Sequence, residues 1–239
     1  MSIKHDIPLQ KQSSSSNCVQ ASTSMFLSFY NINVSPDEIE AAVPVRTNAG
    51  GKPMGTLFAD IGTWLKQTKN LSVAMHVFDV QIIDRSWNKL TQNELLDKVL
   101  EMQAKGLSTA RTIYAPLLID AYAQFLKSGG QVDITKCTNE LLQTLLDKGP
   151  ILAIINYNYM YDYPRLSYNP EIKNYEPNSI DGKAIDHAIV ITGYSDGNYY
   201  YNDPDSEMGG QPTVKDDVLI GAICIAQLNS NNYLLTIEK

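Results

Sequence analysis

The spacing of apolar residues changes near residue 150, and this change limits the folds that the chain can adopt. Before that point they recur at the three- and four-residue intervals typical of amphipathic helices, as in TNELLQTLLDKG. After it, short apolar runs such as PILAIINYNY and HAIVITGY are typical of β-strands. Helices followed by strands predict an α+β fold whose C-terminal half contains an antiparallel sheet.

Several segments carry recognisable starts and stops. The run from Cys18 to Tyr30 is predicted to be a helix, with Asn17 or Ser16 as its N-cap. The letters SPDE further on predict a capping box that opens a second helix. The strand-rich half is predicted to include the runs NYYYNDP, DVLIGAICIAQL and YLLTIE as well as the two above.

Residues 1–239 are expected to form a single domain, because the sequence contains no internal repeat and no convincing linker. Helical spacing in the middle of the chain predicts a mainly helical insertion at about 85–135. The stretch NAGGKPMG at 48–55 is predicted to be a glycine-rich loop.

Charge and hydropathy exclude some classes of partner. The net charge of −7 argues against a nucleic acid as the main partner. No apolar run approaches the roughly 20 residues that a membrane-spanning helix needs. The N-terminal residues also lack the apolar region of a secretory signal. We therefore expect a cytoplasmic protein, or one exported by a signal-independent route, and the sequence leaves its oligomeric state open.

Few cysteines and histidines are available for chemistry, three of each. The cysteines have no CxxC spacing and cannot all pair, which argues against a disulfide framework and a cysteine-rich zinc site. Cys137 and Cys224 lie inside apolar patterns and are predicted to pack in the core. No metal or organic cofactor is expected.

Cys18 is the candidate nucleophile, because a helix N-terminus and a nearby imidazole both lower the pKa of a thiol. His187 is the best imidazole candidate, since it lies at the start of a predicted strand after a polar loop. A predicted hairpin folds Asp203 back towards His187, where a carboxylate would orient the ring. Asn202 is the alternative to Asp203, because neighbouring strand residues point to opposite faces.

An oxyanion donor is expected in the segment that leads to Cys18. Gln12 lies six residues before the cysteine and could place its side-chain amide beside the Cys18 backbone N–H. Gln10 competes for this role, but the spacing favours Gln12. The four serines between Gln12 and Cys18 are small and turn-tolerant, which suits a spacer of fixed length.

These motifs together resemble the papain-like cysteine peptidases, and most closely the bacteriocin-processing, double-glycine-leader peptidase family. The pieces that carry the resemblance are IPLQKQSSSSNC, KGPILAII, DHAIVITGY and YYNDPD. The resemblance implies Cys18 as nucleophile, His187 as general base and acid, Asp203 as the orienting residue and Gln12 in the oxyanion hole. It covers both ends of the chain but finds no counterpart for about 70–135.

Two features depart from that family. Val19 and Gln20 follow the cysteine where the family usually has a small residue. No transporter module is attached, so the resemblance is to a free-standing relative and does not imply leader processing during export.

The run NYNYMYDYPRLSYNPEIKNYEP contains six tyrosines between a predicted strand and His187. If its first part is extended, Tyr157, Tyr159 and Tyr161 share one face. They then form either a substrate-binding wall or a hydrophobic face of the sheet, and the sequence favours neither.

The sequence therefore predicts a cysteine peptidase that acts on a peptide or protein substrate. One alternative keeps the same nucleophile in a deamidase, transpeptidase or acyltransferase. The other is a catalytically silent papain-like binding module.

Overall fold

The structure is a computed structural model that describes residues 2–14, 16–43, 45–47, 55–80, 82–106, 115–172, 174–226 and 233–238. A 3₁₀ helix covers Arg85–Lys89. The α-helices of the described residues are α1 (Cys18–Ser28), α2 (Pro36–Ala42), α3 (Phe58–Lys69), α4 (Gln92–Ala104), α5 (Ala115–Lys127), α6 (Asn139–Leu146), α7 (Tyr157–Met160) and α8 (Asp216–Cys224).

Most strands follow the predicted change from helical to strand spacing near residue 150, but three of the described strands lie before it. The described strands are β1 (Ile3–Lys4), β2 (Ser72–Val77), β3 (Gln131–Ile134), β4 (Ile151–Asn156), β5 (Leu166–Asn169), β6 (Asn174–Pro177), β7 (Asp186–Ser195), β8 (Asn198–Asn202), β9 (Thr213–Lys215) and β10 (Tyr233–Glu238). The mixture of helices and sheet confirms the predicted α+β class. The predicted glycine-rich loop lies almost wholly outside the described residues.

Local capping chemistry sets where two of the helices begin. Ser35 accepts from the backbone N–H of Glu38 and Glu38 returns a bond to the Ser35 backbone, which confirms the predicted capping box of α2. Thr91 and Glu94 do the same for α4. Each box satisfies backbone N–H groups that the first turn of a helix leaves without partners.

One predicted strand is a helix. Most of the run DVLIGAICIAQL lies in α8, and its buried residues Leu219, Ala222 and Ile223 follow helical spacing. A continuous apolar run does not distinguish a buried strand from a buried helix by periodicity. The acidic pair Asp216 and Asp217 in the first turn favours the helix, because carboxylates stabilise a helix N-terminus.

The main sheet has the strand order β3-β2-β10-β4-β7-β8-β9. β1 also pairs with β7, at residues of β7 that lie beyond the partner of Ile151, the first residue of β4. All of its pairings are antiparallel except that of β2 with β3. A separate hairpin consists of β5 and β6. Helices cover both faces of the main sheet. One core packs α1 to α5 on the first face, and a second packs α6 to α8 on the other.

The 3₁₀ helix, α4 and α5 lie in the middle of the chain, and this part also joins the sheet. Residues of α4 and α5, such as Val99 and Phe125, share one core with α1 and α3. β3 adds a parallel edge strand next to β2. No helix within the described residues is long and apolar enough to cross a membrane.

The N-terminal arm, residues 3–12, runs along β7 towards the end of β8. Gly193 allows this close approach, because a Cβ at that position would lie 2.2 Å from the Ile3 carbonyl oxygen. His5 N–H donates to the Thr192 carbonyl at 2.7 Å, and Gln12 N–H donates to the Pro204 carbonyl at 2.8 Å. The arm therefore reaches the loop that follows β8.

Candidate active site

Cys18 is the first residue of α1, as the sequence predicts. The helix is buried from Val19 to Leu27, and the Ser22 hydroxyl donates to the Ala188 carbonyl of β7 at 2.9 Å. This bond joins the first turns of α1 to the strand that carries His187. The cysteine is therefore delivered by a helix that is anchored on β7.

Asn17 is the N-cap of α1 by position, but its side chain does not cap the helix. Its amide instead donates to the Ser13 hydroxyl at 2.8 Å, and its oxygen accepts from the Ser14 N–H at 3.1 Å. Asn17 is almost fully buried. The described part of the serine run is thus a hydrogen-bonded turn ahead of Cys18, which leaves the first N–H groups of α1 without a side-chain cap.

His187 and Asp203 come together through the predicted hairpin. β7 and β8 pair in antiparallel register, and the turn between them holds Asp196 and Gly197 at positive φ. The His187 Nε2 atom lies 2.7 Å from Asp203 Oδ1. Both residues are buried, and the Asp203 carboxylate is fully inaccessible to solvent.

Cys18 hydrogen-bonds to His187, which completes a chain of contacts from thiol to imidazole to carboxylate. Because Nε2 faces Asp203, the ring nitrogen left for the thiol is Nδ1. The backbone N–H groups of Ala188 and Val19 also donate to the sulfur. These donors and the positive end of α1 all favour a thiolate.

The pKa shifts of the three groups favour an ion pair between a Cys18 thiolate and a His187 imidazolium. Burial raises the pKa of the Cys18 thiol, but the hydrogen bond and positive charge of His187 outweigh it and the net shift is downward. Burial also lowers the pKa of His187, yet its hydrogen bonds to Asp203 and Cys18 raise it to about 10. The pKa of Asp203 is lowered despite burial, because His187 donates to it.

Gln12 lies beside the loop that follows β8, through its backbone bond to Pro204. Within the described residues, no donor reaches its buried side-chain oxygen, Oε1. Gln10, the competing residue, is occupied elsewhere, because its Oε1 accepts from the Ser24 hydroxyl at 2.7 Å. Asn202 is also occupied, since its amide donates to the Ile7 carbonyl at 2.9 Å.

The tyrosine-rich segment is not extended. Residues 157–160 form the short helix α7, so Tyr157, Tyr159 and Tyr161 do not alternate as in a strand. Tyr157 packs edge-on against the His187 ring with centroids 5.4 Å apart. The Tyr161 hydroxyl donates to Asp203 Oδ2. Tyr159 lies on the other side of α7, where its ring faces Gly221 of α8.

Sequence reasoning missed the partners of Asp203. Tyr201 donates its hydroxyl to the Tyr161 hydroxyl at 3.3 Å, and the Asp205 N–H donates to Asp203 Oδ1 at 2.7 Å. Strand alternation could have indicated Tyr201, because it lies two residues before Asp203. The sequence carries no comparable signal for Tyr161, which approaches from a turn some forty residues away.

The remaining cysteines contact each other. The side chains of Cys137 and Cys224 are hydrogen-bonded, which lowers the pKa of Cys224 and raises that of Cys137. Cys137 is buried and Cys224 is partly exposed. Within the part of the chain that the structure describes, no group of three or more His, Cys, Asp or Glu side chains could hold a metal ion.

The two residues that follow Cys18 belong to the buried part of α1. Val19 and Gln20 are both buried in the core, and the Gln20 amide donates to the Thr56 hydroxyl at 2.8 Å. Their side chains are therefore part of the packing of α1.

Comparison with known proteins gives one family. The model of the Peptidase_C39 like family matches residues 70–220. This range contains His187 and Asp203 and excludes Cys18 and Gln12. It also includes 70–135, so the expectation that this part has no family counterpart is wrong.

One solved structure, described as a C39-like peptidase from Bacillus anthracis, matches with a TM-score of 0.50 at 14% identity. The match covers 100% of this chain and 98% of that chain, and at this identity the likeness concerns the fold alone. No curated protein sequence matches the chain. Because the family match spans more than half of its residues, the chain belongs to the Peptidase_C39 like family of the papain-like cysteine peptidase superfamily.

Proposed function

We propose that this protein is a cysteine peptidase that hydrolyses an amide bond in a peptide or protein, with Cys18, His187 and Asp203 as its catalytic triad. The observation that supports it most is the contact chain from the Cys18 thiol through His187 to the buried Asp203 carboxylate. Three separate elements contribute to this chain, α1, β7 and the loop after β8. A nucleophile, a base and an orienting group in that order are the parts that thiol hydrolysis needs.

The first half of the reaction forms a thioester. The Cys18 thiolate bonds to the carbonyl carbon, and the developing oxyanion receives hydrogen bonds from the Cys18 backbone N–H and the Gln12 amide. His187 then gives the Nδ1 proton to the amine nitrogen as the carbon–nitrogen bond breaks. Asp203 stabilises the imidazolium and fixes the ring orientation throughout.

The second half releases the product. His187 is now neutral and takes a proton from water, whose oxygen attacks the thioester carbonyl. The carbon–sulfur bond breaks, the carboxylic acid leaves, and the thiolate–imidazolium pair returns. Every proton moves through one imidazole, which is consistent with the buried environment of His187.

Gln12 is proposed as the second oxyanion donor. Its side-chain oxygen is buried without a donor, whereas buried polar atoms in folded proteins are almost always paired. Because no described donor holds this oxygen, rotation about the Gln12 Cγ–Cδ bond can exchange the oxygen with the NH₂ group and present the NH₂ group to a bound substrate. A substrate wall formed by Tyr157, Tyr159 and Tyr161 stays a prediction, and Tyr157 is the best placed of the three because it contacts His187.

We also propose that residues 1–239 form one papain-like domain with its mainly helical insertion at about 85–135. The shared core of α4 and α5 with α1 and α3, and the pairing of β3 with β2, support a single domain.

The decisive experiment compares peptide-library cleavage by the wild type, Cys18→Ala and Cys224→Ala. We expect mass spectrometry to detect cleavage products that disappear with Cys18→Ala and persist with Cys224→Ala, since Cys18 contacts the His187 imidazole and Cys224 contacts the Cys137 thiol. Products that survive in Cys18→Ala would contradict the assignment of the nucleophile. Deamidated or amine-joined products that depend on Cys18 would instead indicate a deamidase or transferase, and no Cys18-dependent product at all would favour the binding module.

A further inference from the structure

The Asp203 carboxylate is fully buried, so each of its oxygens needs a hydrogen-bond donor. Oδ1 accepts from His187 Nε2 and from the Asp205 N–H, both at 2.7 Å. Oδ2 accepts from the Tyr161 hydroxyl. Tyr161 is therefore the donor that occupies the oxygen not used by His187.

Tyr161 has a partner of its own. The Tyr201 hydroxyl lies 3.3 Å from the Tyr161 hydroxyl and donates to it. This direction follows from the chemistry, because an ionised carboxylate only accepts and Tyr161 must use its own proton on Asp203. A chain of donors thus runs from Tyr201 through Tyr161 to Asp203 and ends on the side of the carboxylate opposite His187.

The protonation states agree with this direction. Burial and the negative charge of Asp203 raise the pKa of Tyr161, so its hydroxyl remains a donor. The pKa of Asp203 is lowered despite burial, through donation from His187 and then from Tyr161. A charge-assisted hydrogen bond in a buried site is among the strongest that proteins make.

We infer that Tyr161 is a positioning residue of the proposed triad. With Tyr201 behind it, Tyr161 keeps Asp203 ionised and holds the carboxylate so that Oδ1 stays on His187. It acts through Asp203 and does not touch the reacting atoms. This inference rests on the proposed function, since its role is defined by the pairing of His187 with Cys18.

A substitution of Tyr161 leaves the other ionisable groups near Asp203 in place. The effect of the substitution on Asp203 can therefore be assigned to Tyr161. Lys11 is close by, because its ammonium donates to the Ser206 carbonyl in the same loop at 3.1 Å. The titratable groups that face Asp203 or His187 come from α1, α7, the turn after α7 and β8. They are Cys18, Tyr157, Tyr161 and Tyr201. The charges of Asp205 and Glu207, together with Tyr163, act on Tyr157.

The test is the pH dependence of Cys18 alkylation by iodoacetamide, read from the mass of the Cys18-containing peptide. In Tyr161→Phe the ring remains but Oδ2 loses its donor, so Asp203 takes up a proton at a higher pH. Protonated Asp203 supports the imidazolium less, and the thiolate loses its counter-charge. We expect the acid limb of the alkylation profile to move upward by about one pH unit.

Two further variants make the result specific. Tyr201→Phe removes only the donor behind Tyr161, so a smaller shift in the same direction is expected. Tyr168→Phe changes an exposed tyrosine of the β5–β6 hairpin and is expected to leave the profile unchanged. If Tyr161→Phe fails to fold, as judged by circular dichroism, the Tyr201→Phe shift decides, and a profile identical to wild type overturns the inference.

The outcomes separate the inference from the proposed function. Enhanced wild-type alkylation at Cys18 with an unchanged or downward-shifted Tyr161→Phe profile overturns the role of Tyr161 and leaves the triad intact. A wild-type Cys18 that reacts no faster than an ordinary thiol overturns both.

Discussion

Two regions of the molecule hold a partly exposed thiol whose pKa is lowered, and they lower it with different neighbours. Cys18 ionises next to the His187 imidazolium, whereas Cys224 ionises next to the Cys137 thiol. Cys18 opens α1 and so lies at the positive end of a helix dipole. Cys224 is the last residue of α8, where the dipole disfavours a negative charge.

The difference indicates that the proposed catalysis needs more than a lowered thiol pKa. The neighbour of Cys224 is a thiol whose own pKa is raised, which makes it a poor proton donor to a leaving amine. His187 can both give and accept a proton, and Asp203 fixes its orientation. Gln12 lies only on the Cys18 side, through its bond to Pro204.

The largest expected effect comes from removing the His187 imidazole, which distinguishes Cys18 from Cys224. In His187→Ala, Cys18 loses the charge and the hydrogen bond that lower its pKa. A thiol with the ordinary pKa of 9.0 is only about one part in a thousand thiolate at pH 6. We therefore expect alkylation of Cys18 at pH 6 to slow by up to about a thousandfold, while Cys224 keeps its wild-type rate.

Peptide mass spectrometry must resolve the two sites, because Cys224 is also activated and would mask the change in a whole-protein measurement. Equal slowing at Cys18 and Cys224 would point to a general loss of structure. Unchanged reactivity at Cys18 would mean that His187 does not generate its thiolate.

The next largest effect is expected at Gln12, and the other glutamine of the N-terminal arm serves as its control. We expect Gln12→Ala to lower kcat about 10²- to 10³-fold, as loss of one oxyanion donor typically does. Gln10→Ala is the matched control, because Gln10 is bonded to Ser24. It is expected to cost about 0.5–1.5 kcal/mol of stability in urea unfolding with kcat unchanged. Similar kcat values for wild type and Gln12→Ala would remove Gln12 from the oxyanion hole.

Sequence patterns predicted the elements of the site better than its surroundings. Helix and strand starts depend on nearby residues, so the position of Cys18 at the start of α1 and the hairpin before Asp203 follow from local signals. The same local reasoning made α8 a strand, because its apolar run is almost continuous and hides the helical spacing of its buried residues.

The partners of Asp203 depend on tertiary packing. Tyr161 reaches the carboxylate from the turn after α7, and no residue spacing encodes that approach. Residues 157–160 also form the helix α7, whereas an extended conformation would have placed the tyrosines on one face. Contacts between distant segments are thus the part of this site that the sequence did not predict.

The smallest expected effect concerns stability, because the Cys18–His187 pair binds protons differently in the folded and unfolded states. The unfolded imidazole titrates near 6.5 and the unfolded thiol near 9.0. The raised pKa of His187 gives a contribution that is full below pH 6.5 and is lost as the pH rises through about 10. The lowered pKa of Cys18 gives one that is full above pH 9.0 and is lost as the pH falls through its folded value.

Between pH 6.5 and 9.0 the pair therefore holds one proton in both states, and its contribution is constant. Above pH 9.0 the unfolded state loses that proton before the folded state does, so the contribution falls as the pH rises towards 10. Urea unfolding should thus show the stability difference between wild type and Cys18→Ala shrinking by about 0.7 kcal/mol from pH 9 to 10. The difference from Cys224→Ala should stay nearly flat there, because Cys224 is already ionised in the folded state at pH 9 and burial still raises the pKa of Cys137 in the variant. A Cys18→Ala difference that is constant or grows over this interval would mean that the pair is not a thiolate and an imidazolium.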